Sequence, residues 1–324
     1  VALQTPIGLS ALALLGASDE VSAQTLVYFS IRVWSAPFSL LNLAVIGWLI
    51  GIQNARGALL VTLAINVTNI VLDLVLVVGL DYGVGGVAAA TVCAEIAGLA
   101  VGCWLVRLAL AERPGTWPLE RLRSIQHYRR LLSMNWNLFV RTMALMFVFG
   151  WMTAQGARMG DLILAANAVL MNFQWFLSYA LDGMANAAEA LVGRAVGARD
   201  RAGLQRAVRR TLAWSLAFAV AFTLFYLIIG RPLIQILTTV PAVRETAYIY
   251  LPWILASPLV SAWCFLYDGI FVGATWPKAM RNVMVASTAL IFLPAWYGFS
   301  PMLGNHALWL AFLLFMGARG IGMH

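Results

Sequence analysis

Runs of about twenty apolar residues, separated by short polar or glycine- and proline-containing segments, recur along the whole chain. A run of this length is long enough to cross the hydrocarbon core of a bilayer as an α-helix. The pattern predicts nine full membrane spans, and residues 1–16 indicate the end of a tenth. The nine predicted spans cover roughly residues 26–50, 57–80, 85–107, 133–157, 162–193, 211–229, 246–272, 282–299 and 303–322.

Composition agrees with this pattern. Hydrophobic residues make up 62% of the 324 residues, and only 10% are charged. Soluble domains are typically about half apolar and a quarter charged. We therefore predict an all-α polytopic membrane protein.

The net charge of +8 is distributed unevenly. Most basic residues fall on alternate connections between the predicted spans, which is the positive-inside pattern and predicts that these connections are cytoplasmic. Orientation and contact with anionic lipid explain the basic balance, so no nucleic-acid partner is expected. The basic segments are Arg56, residues 107–130, residues 194–210, Lys278 with Arg281, and Arg319.

Two stretches of the chain, residues 34–56 and 254–278, resemble each other. Pro37 aligns with Pro258 at an offset of 221, and Gly47 and Gly51 align with Gly269 and Gly273 at an offset of 222. GGVAAAT at 85–91 also matches GNHALWL at 304–310, at an offset of 219. Each match is weak, but the nearly constant offset indicates an internal repeat, as many helical transporters have.

The repeat predicts how the chain is organised. The second copy begins with the span at 133–157, whose partner would lie about 88 residues before Val1. We therefore expect that two spans and most of a third precede this sequence, so that the intact protein has twelve. The predicted domains are a partial first lobe at 1–111, a cytoplasmic linker at 112–132 and a second lobe at 133–324.

Polar groups within the spans are candidates for function, because a charge at the bilayer centre costs from about 3 to more than 10 kcal/mol. Asp73 shares a helix face with Asn69, Asn66 and Thr62, and we expect Asn69 to hydrogen-bond Asp73. Thr91 and Glu95 lie on the next span at a similar depth. This set suits proton or Na⁺ coupling, although Asn66 and Thr62 are better explained as helix–helix contacts worth ~0.6 kcal/mol each. Glu95 either takes part or pairs within the bundle.

The later spans carry a second polar group. Asp182, Asn186 and Glu189 share one face of the 162–193 span, and Glu189 is expected to pair with Arg194. Asp268 lies beside Gly269, which with Gly273 forms a small-xxx-small face suited to close helix packing. Arg141 either extends to the membrane surface or neutralises one of these acids. Asp182, Asn186, Asp268 and Arg141 are therefore possible pathway residues.

Met171, Trp175 and Tyr179 are candidates for a cavity that holds hydrophobic cations through soft and cation–π contacts. Packing against lipid is the alternative for such side chains. His306 is expected to be structural. Cys93, Cys103 and Cys264 have no metal-site or disulfide spacing and are expected to be small core residues.

The sequence contains no phosphate-binding GxxxxGK[ST] loop, no metal-spaced His/Cys cluster and no nucleophile elbow. We therefore predict neither an enzyme nor a bound metal or cofactor. If the protein pumps, an ion gradient would supply the energy.

Several segments resemble the MATE (multidrug and toxic compound extrusion) transporters, and in particular the DinF-like branch of that family. The resemblance covers essentially the whole chain. The segments that carry it are SAPFSLLNLAVIGWLIGIQNAR, NIVLDLVLVVGL followed by GVGGVAAATVCAE, AANAVLMNFQWFLSYALDGMANAAEALVGRAVGARD, WCFLYDGIFVGAT and LGNHALWLAF.

The resemblance implies a V-shaped monomer of two six-helix lobes in a bacterial inner membrane, which exchanges lipophilic or cationic drugs or toxins for H⁺ or Na⁺. In the DinF-like branch, an aspartate on the first helix joins an Asn-x-x-x-Asp pair on the fifth and a threonine on the sixth. Asn69, Asp73 and Thr91 match the last three. The first-helix aspartate has no counterpart in this sequence. A lipid-precursor flippase of the same superfamily and a non-transporting membrane scaffold are the alternatives.

Overall fold

The structure is a computed structural model that describes residues 19–112 and 125–324, and these residues are helical apart from short connections. The chain divides into two compact units, Val1–Trp117 and Pro118–His324, and each is described by itself. The predicted span end at 1–16 and most of the predicted linker lie outside the described residues.

The first unit contains four α-helices that run antiparallel to their neighbours or continue one another. They are α1 (Asp19–Arg32), α2 (Ala36–Gly51), α3 (Ala55–Asp73) and α4 (Gly83–Ala111); a 3₁₀ turn at Val33–Ser35 joins α1 to α2, and a π-helical segment at Leu74–Gly79 follows α3.

The predicted span at 26–50 is an interrupted helix. Proline has no amide N–H and disturbs the preceding helical turn. Pro37 stands at the start of α2, directly after the 3₁₀ turn, where the Ser35 hydroxyl donates to the Arg32 carbonyl at 2.7 Å. The proline thus explains the interruption.

Small residues bring α4 against its neighbours. A Cβ atom added at Gly98 would lie 2.2 Å from the Ile65 side chain on α3, and one at Gly102 would lie 2.8 Å from Val45 on α2. Ala90 and Ala94 are buried on the same face. Small side chains on this face therefore let α4 pack closely against its neighbours, and the two glycine positions have no room for a Cβ atom.

This face also explains why one prediction about the cysteines is wrong. Cys93 and Cys103 are exposed in the first unit, whereas Cys264 is buried in the second as expected. The buried face of α4 consists of Ala90, Ala94, Gly98 and Gly102, so the two cysteines fall on other faces of that helix.

The second unit is built around two long central helices, α6 and α8. Its helices are α5 (Ile125–Arg158), α6 (Asp161–Gly197), α7 (Arg201–Leu237), α8 (Pro241–Gly273), α9 (Pro277–Ala286), α10 (Leu293–Leu303) and α11 (Asn305–Gly322), with a π-helical segment at Ser287–Phe292 between α9 and α10.

Gly269 and Gly273 make the contact between α6 and α8 possible. A Cβ atom at Gly269 would lie 2.1 Å from the carbonyl oxygen of Ala185, and one at Gly273 would lie 2.5 Å from that of Glu189. Backbone therefore meets backbone, as the small-xxx-small pattern predicted. This packing holds Asp268, the residue before Gly269, beside α6.

Eight helical segments among the described residues are long and apolar enough to cross a membrane, so the chain is a multi-pass membrane protein. They match the first eight predicted spans. The ninth predicted span, 303–322, corresponds to helix α11, which is not one of these eight segments. The eight segments are Ala23–Gly51, Ala55–Gly79, Gly83–Ala111, Leu131–Arg158, Asp161–Gly197, Arg201–Leu237, Pro241–Gly273 and Pro277–Leu303.

Candidate functional site

Asp73 is the last residue of α3, where the helix changes from α to π geometry. The first amide beyond the π segment shows the wider turn, because Leu80 N–H donates to the Val75 carbonyl at 2.9 Å. π-Helical turns inside α-helices occur frequently at functional sites. The Asp73 carboxyl is half-buried, and its Oδ1 atom is buried without a hydrogen-bond partner among the described residues.

The two other members of the predicted ion site lie together. Asn69 Nδ2 donates to Thr91 Oγ1 at 3.5 Å, and Thr91 Oγ1 donates to the Val87 carbonyl at 2.9 Å. The contact joins α3 to α4. No hydrogen bond between Asn69 and Asp73 is present among the described residues, because the Asn69 amide turns towards Thr91 instead.

Glu95 belongs to a separate contact in the same unit. Asn42 Nδ2 donates to the Glu95 carboxylate and to its backbone carbonyl, each at 2.8 Å. Asn42 is 1% exposed, and its Oδ1 atom is buried without a partner among the described residues. Sequence reasoning missed Asn42, although an amide within an apolar span is a detectable signal.

Asn66 and Thr62 face outwards in this unit. Both are exposed, and the Thr62 hydroxyl donates to the Ala58 carbonyl of its own helix at 3.1 Å. The expected helix–helix contact of Thr62 is therefore not made by its hydroxyl within the described part of the first unit.

A half-buried carboxylate in the second unit binds two arginines. Asp268 Oδ2 on α8 accepts from Nη2 of Arg141 on α5 and, at 2.7 Å, from Nη2 of Arg319 on α11. Of the two alternatives for Arg141, the structure shows neutralisation of an acid. The sequence predicted that Arg319 belongs to a basic cytoplasmic connection. In the structure its side chain is fully buried and binds Asp268. Trp309, Phe312 and Phe315 are apolar at helical spacing, and Arg319 follows them at the same spacing. This pattern is a sequence signal that could have indicated a buried position for Arg319.

These charges line a cavity of about 380 Å³ in the second unit. Asp182 and Glu189 contribute acids from α6, and Trp175 contributes an aromatic side chain. Asn186, between the two acids in sequence, is exposed and is not among the residues that line this cavity.

A neighbouring cavity of about 240 Å³ is mainly apolar. Met171 and Trp175 line it, and the Trp175 ring lies 4.9 Å from the Phe149 ring, centroid to centroid. Tyr179 is 74% exposed and lines neither of these two cavities. His306 accepts from Trp253 Nε1 at 3.0 Å, consistent with the structural part expected of it.

Comparison with known proteins gives the chain its family. The MatE family profile matches residues 3–75 and 138–297. DNA damage-inducible protein F of Escherichia coli (strain K12) is 42% identical over 324 residues, which cover 99% of this chain and 70% of that protein. Protein DETOXIFICATION 43 of Arabidopsis thaliana is 26% identical over 295 residues, which cover 91% of this chain and 55% of that protein.

Solved structures show the same fold. A mutant of the Vibrio cholerae MATE transporter VcmN superposes with a TM-score of 0.87 at 20% identity, covering 99% of this chain and 72% of that one. A MATE structure in the straight conformation gives a TM-score of 0.88 at 18% identity, with the same coverage. The matched profile, the identity to the E. coli protein and the shared helical fold together show that this chain belongs to the MatE family of membrane transporters.

Proposed function

We propose that the protein is a secondary antiporter that exports lipophilic or cationic small molecules in exchange for H⁺ or Na⁺. The names of its relatives support export, since one is called a probable multidrug resistance protein NorM and others carry the name DETOXIFICATION. The positive-inside pattern supports an orientation in which the basic connections face the cytoplasm. Substrates would therefore enter from the cytoplasmic side.

The observation that carries the proposal is the lack of hydrogen-bond and ion-pair partners for the Asp73 Oδ1 atom among the described residues. An intramembrane carboxyl is costly unless it is neutral, paired or hydrated. Asp73 has a buried oxygen with no hydrogen-bond partner among the described residues, and no arginine or lysine forms an ion pair with it there. A carboxyl in this condition gains from binding a proton or Na⁺, which is the property that ion coupling requires.

The position of Asp73 at the end of α3 connects that binding to helix geometry. The π-helical segment Leu74–Gly79 begins directly after it. Binding of the ion at Asp73 neutralises the carboxylate and changes which arrangement of this segment is favoured. Substrate and ion then weaken each other's binding, and linkage requires that the two effects be equal in size. Ion entry from outside releases the substrate outside.

Replacement of Asp73 by Asn in the full-length protein tests the proposal, because Asn keeps the shape but cannot exchange a proton. Cells loaded with a fluorescent lipophilic cation should lose gradient-driven efflux when they express Asp73→Asn, at unchanged protein level in the membrane. Asp81→Asn is the matched control: Asp81 is exposed, lies between the π segment and α4, and has a φ of 55° that Asn adopts readily. Undiminished efflux by Asp73→Asn would reject this role for Asp73.

Proteoliposomes distinguish the two coupling ions. An outward-directed dye flux that follows an imposed pH gradient at constant Na⁺ supports H⁺, and a flux that follows only a Na⁺ gradient supports Na⁺. A flux that follows neither gradient contradicts antiport and favours the scaffold alternative. The flippase alternative requires a cationic cavity. The cavity of the second unit is lined by acids as well as by Arg141 and Arg319, so it does not favour that alternative.

A further inference from the structure

A further cavity of the second unit, of about 440 Å³, lies between the N-terminal part of α5 and the connection from α8 to α9. Ser133, Met134 and Asn137 line it from α5, and residues 275–279 line it from the connection and the start of α9. None of these residues lines either of the two cavities described above. The proposed coupling cycle assigns this cavity no use.

The cavity lies where membrane-spanning segments end. The segments Pro241–Gly273 and Pro277–Leu303 are separated by residues 274–276, and Thr275 and Trp276 from this gap line the cavity. Ser133 lies in the first turn of the segment Leu131–Arg158. Because the spans themselves occupy the hydrocarbon core, a cavity at the ends of three spans lies at the depth of the lipid head groups.

The lining of the cavity is basic. Lys278 lines it, and none of the described residues that line it is acidic. Lys278 is exposed and forms no ion pair within the described part of the chain. It is also the only lysine among the 324 residues of the sequence. A cavity with a positive charge and no acid favours an anionic ligand.

Arg281 adds a second positive charge beside the cavity. Its Nη1 donates to Oδ1 of the buried lining residue Asn137 at 2.8 Å. The Asn137 amide is itself oriented, because its Nδ2 donates to the Ser133 carbonyl. Nε and Nη2 of Arg281 donate to Asn282 Oδ1 at 3.0 and 2.7 Å. These bonds all end on neutral amide oxygens, and Arg281 forms no ion pair among the described residues, so its charge is not compensated there.

The remaining lining is largely apolar and includes an exposed tryptophan. The Trp276 ring lies 5.7 Å from the Phe271 ring, centroid to centroid. On α5, Trp136 is also exposed, and its ring lies 5.6 Å from the Phe139 ring. Tryptophan is enriched where a membrane meets water, because its ring is apolar and its N–H is polar. Apolar groups beside positive charge suit an anionic amphiphile better than a small hydrated anion.

We infer that this cavity binds the head group of an anionic phospholipid, with the phosphate at Lys278, beside Arg281, and the glycerol part against Met134 and Trp276. A lysine ammonium binds phosphate as a compact point charge. Basic pockets between membrane helices at a membrane surface bind such head groups. The inference is independent of the proposed antiport, since the proposed cycle uses none of these residues.

Lys278 itself reports on occupancy, because a bound phosphate shields its amine from acylation. The purified full-length protein is placed in neutral detergent micelles that contain either phosphatidylglycerol or phosphatidylcholine, neither of which has a primary amine. An uncharged N-hydroxysuccinimide ester of acetic acid then acetylates exposed lysines, and peptide mass spectrometry gives the rate at Lys278. We expect phosphatidylglycerol to slow that rate by about fivefold or more relative to phosphatidylcholine.

A lysine introduced outside the cavity provides the matched reference. Arg209 is exposed on α7, belongs to another basic segment of the same unit and does not line the cavity. In Arg209→Lys, the introduced lysine meets the same negative micelle surface, whose attraction is screened by physiological salt, so its rate should change by no more than about twofold. Inorganic phosphate added to phosphatidylcholine micelles tests the other source of the phosphate group. It should protect Lys278 much less than the lipid does.

Thermal unfolding gives a second readout that does not depend on labelling. A ligand that binds only the folded protein raises the midpoint of unfolding. Phosphatidylglycerol should therefore raise the midpoint of the unmodified protein and of Arg209→Gln, and raise that of Lys278→Gln by less than half as much. Lys278 is exposed, so Gln in its place should leave the fold intact.

The outcomes decide between a built site and a general surface effect. Selective protection of Lys278 by phosphatidylglycerol, together with the smaller stabilisation of Lys278→Gln, supports the inference. Equal slowing at Lys278 and at the introduced lysine, or an equal rise of the midpoint in Lys278→Gln, overturns it, because the lipid then acts on the whole basic surface. Protection by inorganic phosphate equal to that by the lipid also overturns it, because the cavity then takes a free anion.

Discussion

Asp73 and Asp268 are both aspartates within apolar helices, yet they differ in their hydrogen-bond and ion-pair partners. Asp73 has a buried oxygen with no partner and no ion pair among the described residues. Asp268 accepts hydrogen bonds from two guanidiniums through the same oxygen atom. Within the part of the chain that the structure describes, the first carboxylate has no ion-pair partner and the second has two.

This difference separates two uses of a buried acid. Asp268 joins α5, α8 and α11, because one of its oxygen atoms accepts hydrogen bonds from guanidiniums on two other helices. Among the intramembrane acids, one without a basic partner is therefore the better candidate for the coupling proposed above.

The largest expected effect is the loss of stability when Asp268, and not Asp73, is replaced. Asp268→Asn removes the carboxylate that forms ion pairs with Arg141 and Arg319, and removal of one partner from a buried ion pair costs about 3–5 kcal/mol. We expect the thermal unfolding midpoint of the purified protein in detergent to fall by roughly 10 °C. Asp73→Asn should leave that midpoint nearly unchanged. A similar fall for both variants would remove the distinction between the two acids.

The next effect concerns the glycines that the internal repeat aligns. Gly269→Ala places a methyl group 2.1 Å from the Ala185 carbonyl oxygen, so α6 and α8 must separate, at a cost of about 1–3 kcal/mol. A Cβ atom at the aligned Gly47 meets nothing within 4 Å in the described residues, so Gly47→Ala should stabilise its helix by up to about 1 kcal/mol. The midpoints of unfolding should therefore shift in opposite directions. Shifts of the same sign would show that the close approach of α6 and α8 is not decisive.

The smallest effect is expected at the contact between Asn69 and Thr91, where the donor and acceptor are 3.5 Å apart. A double-mutant cycle of Asn69→Ala and Thr91→Val should give a coupling energy of at most ~0.6 kcal/mol, typical of side-chain hydrogen bonds between membrane helices. If the pair takes part in ion binding, both single variants should lose much of the efflux rate while the free energy of unfolding changes little. Coupling above about 2 kcal/mol would identify the contact as structural.

Much of the fold was predictable because apolar length and spacing report directly on membrane helices. The short interval between the spans at 57–80 and 85–107 predicted that these spans are antiparallel neighbours and that Asp73 and Thr91 could meet. The hydrogen bond that joins the two helices is made by Asn69 and Thr91 instead. The interruption at Val33–Ser35 and the π segment after Asp73 were not predicted. Both are local changes of hydrogen-bond register that leave hydropathy unaltered.

The candidate sites were predicted less completely. Asp73, Asn69 and Thr91 share a face or a depth, and one-dimensional spacing is sufficient to group them. Arg319 lies 51 residues from Asp268 in the chain, and Arg141 lies 127 residues from it, so no local spacing reveals that three different helices bring these charges together. Asn42 and Glu95 pair in the same way across 53 residues.

The sequence by itself determined that this protein is a bundle of membrane-spanning helices, because burial in lipid requires long uninterrupted apolar segments and each segment carries that requirement alone. It also predicted a face suited to close helix packing at Gly269 and Gly273, because glycine leaves room for backbone against backbone; that α6 packs there is a result of the tertiary structure. The tertiary structure alone decided which intramembrane acid has a countercharge. That choice depends on the rotation and packing of helices distant in sequence, and the energy of a buried charge depends on what lies within a few ångströms of it.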